Sequence, residues 1–226
     1  MVFSFPEGLA PEVYPLAWLV GHWQGRGEIA YPGIEARSIV NDVVFSHDGG
    51  PYLTYTSTVR VLGTQQETDG AGAGDHAAHA DQVPAAGSPT SASDTETVQG
   101  EGGATRAGAG DQDQLQGQVW STETGYWSVS SQRPDYLEEG QHALEVLLAN
   151  PDGRLMFMDG VCGNGRIDLR SLKIVRSSTG ADVTASKRMY GNVEGQLMWV
   201  EEIAAFGHPL GNYLSVALNR VEEGSR

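Results

Sequence analysis

Short segments with alternating apolar and polar residues make up most of the chain outside its middle. This alternation, together with many Val, Thr and Tyr residues, predicts β-strands rather than helices. The predicted strands are residues 23–31, 38–46, 52–62, 119–130, 143–149, 154–159, 165–175, 182–189 and 196–206. The last segment, 212–221, fits either a closing strand or a short helix.

Turn sequences separate the predicted strands, including NPDG at 150–153, GNG at 163–165 and GNVEG at 191–195. About ten short strands in succession leave little room for long helices and predict an antiparallel up-and-down meander. A meander of this length avoids exposed edges best when it closes on itself. We therefore predict an all-β, ten-stranded antiparallel β-barrel with an interior wide enough for a ligand.

Residues 64–118 have a different composition from the rest of the chain. They include nine acidic residues against one base, Arg106, and no aromatic residue. Such a segment buries too little apolar surface to offset the entropy cost of ordering it. We predict a disordered acidic, Gly/Ala-rich insertion that splits a single barrel domain into residues 1–63 and 119–226.

Composition excludes several classes of function. The 226-residue chain has a formal charge of −15, whereas nucleic acids and anionic membranes recruit proteins rich in Lys and Arg. No apolar run reaches the roughly 20 residues of a membrane-spanning helix. A single cysteine, Cys162, excludes a disulfide framework, and we expect a free structural thiol in a cytoplasmic protein. The oligomeric state is not predicted.

Most candidate catalytic groups have simpler structural explanations. His76 and His79 could chelate a metal weakly, but they lie inside the predicted insertion. The sequence Ser46-His47-Asp48 is consecutive, so its side chains cannot converge as in a catalytic triad, and a turn is expected.

The adjacent acids Glu201 and Glu202 lie on a predicted strand. Neighbouring residues on a strand point to opposite faces, so one of these two carboxylates should face the barrel interior. An inward carboxylate requires a base such as Lys187 or Arg188, or a place near the mouth. We predict no catalytic residues and no metal site.

The N-terminal region contains the pattern GxWxGxG, formed by Gly21, Trp23, Gly25 and Gly27. On a strand these residues share one face. Trp23 is suited to filling one end of a barrel, and the glycines clear space where the strand bends or another group packs against its backbone.

This pattern and several others, in the same order, resemble the nitrobindin family, haem-binding barrels related to fatty-acid-binding proteins. The similar stretches are YPGI at 31–34, VFSH at 44–47, YLTY at 52–55, TETGYW at 122–127 and GQLMW at 195–199, continuing through PLGNYL at 209–214. The resemblance spans nearly the whole chain except residues 64–118. It implies a ten-stranded barrel that holds haem b at its open end and, in the ferric state, isomerises peroxynitrite to nitrate or binds nitric oxide.

The resemblance also places functional positions. The family's iron-ligating histidine follows a Pro-Leu step near the end of the chain, where this sequence has Tyr213. Trp120 and Ser121 stand where plant-type members carry a methionine and a histidine over the haem, and Ile203 stands at another haem-facing methionine. Together with Trp199, these residues are expected to line a pocket.

A tyrosine can bind ferric iron, but it must first lose its proton and needs a nearby donor or cation. His208 and Arg220 are the candidates in the sequence for that role, and His208 could itself ligate iron after a loop rearrangement. We expect instead that haem binding is lost and that the barrel holds a small apolar molecule, such as a fatty acid. The alternatives are a ferric haem b protein using Tyr213, and an acidic insertion that acts as a tether or partner-binding arm.

Overall fold

Ten antiparallel strands form a closed barrel in a computed structural model that describes residues 5–63 and 117–222. The strands are β1 (Gly21–Tyr31), β2 (Ile34–Ser46), β3 (Leu53–Val61), β4 (Gln118–Val129), β5 (His142–Asn150), β6 (Arg154–Gly163), β7 (Arg166–Arg176), β8 (Val183–Val193), β9 (Gln196–Ala205) and β10 (Gly211–Arg220). Each strand pairs with the next in the chain, and β1 pairs with β10 to close the sheet.

This architecture confirms the predicted up-and-down barrel, and the last segment is the closing strand β10 rather than a helix. Gln118, assigned to the end of the insertion from composition, is already the first residue of β4. Gly117 is described as well, and the rest of the predicted insertion, residues 64–116 with His76 and His79, lies outside the described residues.

A nine-residue 3₁₀ helix, Pro11–Leu19, precedes β1 and covers one end of the barrel. The sequence pattern did not predict it. Val13, Leu16 and Leu19 are fully buried, and the helix packs against β4 and β6. It is the only helix in the part of the chain that the structure describes, and it is too short to cross a membrane.

Trp23 anchors this closed end. Its ring is 1% exposed, and its Nε1 donates a hydrogen bond to the backbone oxygen of Leu19 at 2.7 Å. The Arg220 guanidinium lies 4.2 Å from the Trp23 ring centroid and donates to the backbone oxygens of Val20 and Trp18. The GxWxGxG motif therefore joins the 3₁₀ helix to β1 and β10.

Gly25 and Gly27 let β10 approach β1 closely. A Cβ atom at Gly25 would collide with the backbone oxygen of Ala217, and one at Gly27 with the backbone oxygen of Ser215. This is the close backbone packing that the glycine spacing predicted.

We expect Gly27→Ala to lower the free energy of unfolding by about 1–3 kcal/mol, because the added methyl group forces β10 away from β1. Gly63→Ala is the matched control, since a Cβ there meets no atom within 4 Å. Chemical denaturation of both variants measures the effect. Equal stabilities for the two variants would contradict this account of the motif.

Candidate functional site

A cavity of about 220 Å³ opens at the end of the barrel opposite the 3₁₀ helix. The four residues expected from the sequence to form a pocket line it, namely Trp120, Ser121, Trp199 and Ile203, and so does Tyr213, the position of the family's iron ligand. The GxWxGxG motif is at the other end, so its role is structural closure rather than contact with a ligand.

Two β-bulges shape the mouth of the cavity. Trp120 is the extra residue between the pairs Val59↔Ser121 and Arg60↔Val119. Tyr213 is the extra residue between Asn212↔Glu202 and Leu214↔Glu201. A bulge redirects the side chain of its extra residue. Here the two bulged residues meet, and Trp120 Nε1 donates a 2.6 Å hydrogen bond to the Tyr213 hydroxyl oxygen.

Tyr213 is more buried than a simple mouth residue. Its burial raises the pKa of the phenol, and the nearby Glu201 carboxylate raises it further, while the Trp120 hydrogen bond opposes the increase. The balance favours the neutral phenol over the phenolate.

Among the described residues, neither sequence-derived partner of Tyr213 forms a hydrogen bond with its hydroxyl group, which is bonded to Trp120. Arg220 is at the closed end, on the Trp23 ring. His208 is exposed, with its ring centroid 6.1 Å from that of Tyr31, and it is absent from the cavity lining. The expectation that His208 or Arg220 could support a tyrosinate is therefore wrong, because β10 carries Arg220 away from the mouth and the His208 ring faces solvent.

A buried ionic cluster forms the inner wall of the cavity. The Arg188 guanidinium donates from Nη1 and Nη2 to the two Glu123 oxygens at 2.6 and 2.9 Å, and from Nε to Glu201 Oε1 at 3.1 Å. Ser186 Oγ donates to the same Glu201 oxygen at 2.7 Å. The side chains of Arg188, Glu123 and Glu201 are only 4%, 8% and 8% exposed.

This cluster accounts for the adjacent acids on β9. Glu201 faces inward and pairs with Arg188, whereas Glu202 faces outward, 3.8 Å from Lys187. The expectation of one inward carboxylate with a base on β8 is confirmed. The two carboxylates hold the guanidinium in its charged form, so the pKa of Arg188 lies well above its usual value although burial opposes this.

Beneath the ionic cluster, the barrel is filled by aromatic rings. Trp199 stacks on Tyr190 with ring centroids 5.3 Å apart, and Tyr190 meets Trp127 at 5.2 Å. Buried Asn41 fixes Trp199 by accepting a 3.1 Å hydrogen bond from its Nε1, and donates to Ser57 Oγ at 2.9 Å. The Arg188 guanidinium lies 5.5 Å from the Trp199 ring centroid.

Four of the polar residues around the cavity and the aromatic rings were not among the site residues predicted from the sequence, namely Asn41, Glu123, Asn150 and Ser186. Strand parity carried a usable signal for all four, since Asn41 is in phase with buried Val43 on β2 and Asn150 with buried Leu148 on β5. Glu123 has the same parity as Trp127 on β4, and Ser186 has the same parity as Tyr190 on β8. No signal in the sequence indicated which inward polar side chains would meet across the barrel.

Comparison with known proteins identifies the fold family. Residues 12–220 match the model for a THAP4-like, heme-binding beta-barrel domain. The chain belongs to this family, the nitrobindin-like β-barrels. The resemblance inferred from the sequence motifs is thereby confirmed.

Relatives of this nitrobindin-like chain carry two kinds of name. A ferric nitrobindin-like protein of Beutenbergia cavernae is 41% identical, covering 98% of this chain and 100% of that protein. A peroxynitrite isomerase of Parafrankia sp. is 30% identical, covering 94% of this chain and 81% of that protein. The crystal structure of Rv2717c from M. tuberculosis has a TM-score of 0.61 at 24% identity, covers 95% and 99% of the two chains, and shares the fold.

The matched family is described as heme-binding, and the sequence resemblance implies that haem would lie at the open end of the barrel, where the cavity is. The described residues around the cavity supply no imidazole, and Tyr213 and Trp120 occupy its mouth. Among residues 5–63 and 117–222, no three His, Cys, Asp or Glu side chains are grouped so that they could hold a metal ion.

We expect Arg188→Met to lower the free energy of unfolding by about 3–5 kcal/mol, because it leaves two buried carboxylates without a counter-charge. Lys187→Met, the adjacent residue on the outer face, should cost at most about 1 kcal/mol. Urea denaturation of both variants measures the difference. A small, equal loss in both would mean that the buried cluster contributes no more than a surface ion pair.

Cys162 is a free thiol, 1% exposed on β6, and burial raises its pKa to about 11. Because the thiolate is the reactive form, native Cys162 should react with iodoacetamide at pH 8 about a hundredfold more slowly than in denatured protein. Mass spectrometry of timed samples gives both rates. Similar native and denatured rates would show that the thiol is accessible and ionised.

Proposed function

We propose that this protein is a small-ligand-binding β-barrel in which Tyr213 replaces the family's haem-iron ligand, so that family-type haem binding is lost. The observation that carries this proposal is the hydrogen bond from Trp120 Nε1 to the Tyr213 hydroxyl across the mouth. It fixes the phenol against the bulky Trp120 ring across the mouth, so that both side chains stand where haem would have to enter.

The electrostatics of Tyr213 support the proposal. An iron-ligating tyrosine has to be a phenolate, stabilised by donors or cations. Burial and the Glu201 carboxylate both raise the pKa of Tyr213, which makes loss of its proton harder. The two cations on the cavity wall are already paired, Arg154 with Asp152 and Arg188 with Glu123 and Glu201.

The dimensions of the cavity support the same conclusion. Pockets for drug-sized ligands span roughly 300–1,000 Å³, and this cavity is about 220 Å³. A macrocycle would have to displace the bulky Trp120 and Tyr213 side chains. We therefore assign the site to a smaller molecule and the protein to binding rather than catalysis, in the cytoplasm, where its one cysteine stays reduced.

A second candidate is a ferric haem protein that uses Tyr213 as its iron ligand and isomerises peroxynitrite. It is favoured by the position of Tyr213 at the open end and by the peroxynitrite isomerase name of relatives such as the Parafrankia sp. protein. It requires the phenol to ionise against the effect of burial, and the Trp120 side chain to move so that haem can enter.

Hemin titration of wild type, Tyr213→His and Tyr213→Phe, followed by the Soret band, separates the two candidates. We expect weak, non-stoichiometric uptake by wild type and Tyr213→Phe. Tyr213→His should gain a five-coordinate haem, and the double variant Trp120→Ala/Tyr213→His should bind hemin more tightly because the mouth is opened.

His208→Ala is the control for ligation by the nearby histidine, and it should match wild type. Stoichiometric uptake by wild type, with a tyrosinate charge-transfer band that Tyr213→Phe abolishes, would overturn the proposal. Peroxynitrite decay would then be the activity to assay.

A further inference from the structure

We propose that the cavity takes a small organic cation of the alkylammonium class, and not a carboxylate or a purely apolar molecule. This inference rests on the proposed function, because it assumes that a small ligand rather than haem occupies the open end of the barrel. It follows from the charges and the unpaired acceptor atoms of the cavity wall.

Arg188 is not available to bind an anion. Three of its N–H groups already donate to Glu123 and Glu201, and its face lies against Trp199. A fatty acid carboxylate would have to displace a buried glutamate and leave that glutamate's charge unpaired, which is strongly unfavourable. The arrangement therefore excludes the fatty acid that the barrel architecture first indicated.

The ionisable groups on the wall carry an excess of one negative charge. They comprise three acids and two bases, Glu123, Asp152, Glu201, Arg154 and Arg188. Asp152 and Arg154 pair with each other at 2.7 Å near the mouth. The excess charge thus belongs to the buried cluster, in which one guanidinium faces two carboxylates.

One carboxylate oxygen of Glu201, Oε2, is free to accept a hydrogen bond from a ligand. Its Oε1 accepts both the Ser186 and the Arg188 hydrogen bonds. Its Oε2 receives no hydrogen bond from any residue in the described ranges, and Glu201 belongs to the cavity wall. The Glu201 side chain is only 8% exposed, and a free carboxylate oxygen on a cavity wall favours a cationic donor.

Asn150 provides a second, independent acceptor on the same wall. Its Oδ1 is buried and has no hydrogen-bond partner. Its Nδ2 donates to Glu123 Oε2 at 3.3 Å, which fixes the orientation of the amide and leaves Oδ1 as the unpaired atom. Buried acceptors are normally satisfied, so this oxygen adds to the excess of acceptors over donors beside the cavity, although its own surface is closed to a cavity ligand.

An alkylammonium group matches these features. It carries three N–H donors and no acceptor. The aromatic rings of Trp199, Trp120 and Tyr213 around the cavity can hold both its charge and its alkyl chain. The volume of about 220 Å³ limits the chain to a few carbons. The net charge of −15 attracts cations to the protein in general.

Isothermal titration calorimetry with three probes of equal length tests the inference: n-butylammonium, n-butanol and butyrate. With wild type we expect saturable one-site binding of butylammonium at least tenfold tighter than butanol, and no binding of butyrate. Glu201→Gln, which keeps the side-chain shape and removes the charge, should weaken butylammonium binding at least tenfold.

Glu202→Gln is the matched control, because this neighbouring carboxylate lies on the outer face beside Lys187. It should bind butylammonium as wild type does. Equal loss in both variants would assign the binding to the general surface charge and overturn the inference.

The wild-type order of affinities needs no variant, so the test stands even if Glu201→Gln fails to fold. Butyrate or butanol binding as tightly as butylammonium, or no butylammonium binding, would overturn the inference. A hemin titration on the same preparation distinguishes failure of the cation site from failure of the proposed function. Absence of both hemin and butylammonium binding refutes the cation site alone, whereas stoichiometric hemin uptake refutes the proposed function.

Discussion

The buried guanidinium of Arg188 is the interaction on which the interior of this barrel depends. It joins Glu123 on β4 to Glu201 on β9, and thereby links strands that lie on opposite sides of the barrel. Charges inside a protein are tolerated only when they are paired and hydrogen-bonded. The pairing here is good but unequal, with two carboxylates for one guanidinium, so the interior carries an unbalanced negative charge.

The interior of the barrel has two halves that differ in polarity, and the ionic cluster lies in the polar half. The half toward the 3₁₀ helix is apolar, packed with rings such as Trp23 and Trp127 and closed by Leu16 and Leu19. The half toward the mouth has a wall of carboxylates, an amide and aromatic side chains around a small cavity. A nitrobindin-like β-barrel built in this way presents a polar, acceptor-rich wall where the family fold offers space for a ligand.

The mouth itself is shaped by backbone irregularity. Regular pairing would leave Trp120 and Tyr213 at ordinary strand positions, with alternate residues facing outward. One extra residue in β4 and one in β10 bring both side chains to the rim, where the indole donates to the phenol oxygen. The pair of bulky side chains reduces the opening of the cavity.

The sequence by itself determined the strand order, the closed antiparallel barrel and the family. Period-two alternation and turn glycines act locally, and the order of short motifs was sufficient to identify the nitrobindin-like fold. It also determined that one of Glu201 and Glu202 faces inward, because strand parity is a local property.

Only the tertiary structure decided that Arg188 bridges Glu123 and Glu201 and that Trp120 meets Tyr213. It also decided that Arg220 lies at the closed end of the barrel and that His208 is exposed. These contacts join residues from 13 to 93 positions apart and depend on barrel closure and on two bulges. A one-residue bulge changes which face a side chain takes, and no periodic pattern in the chain records it.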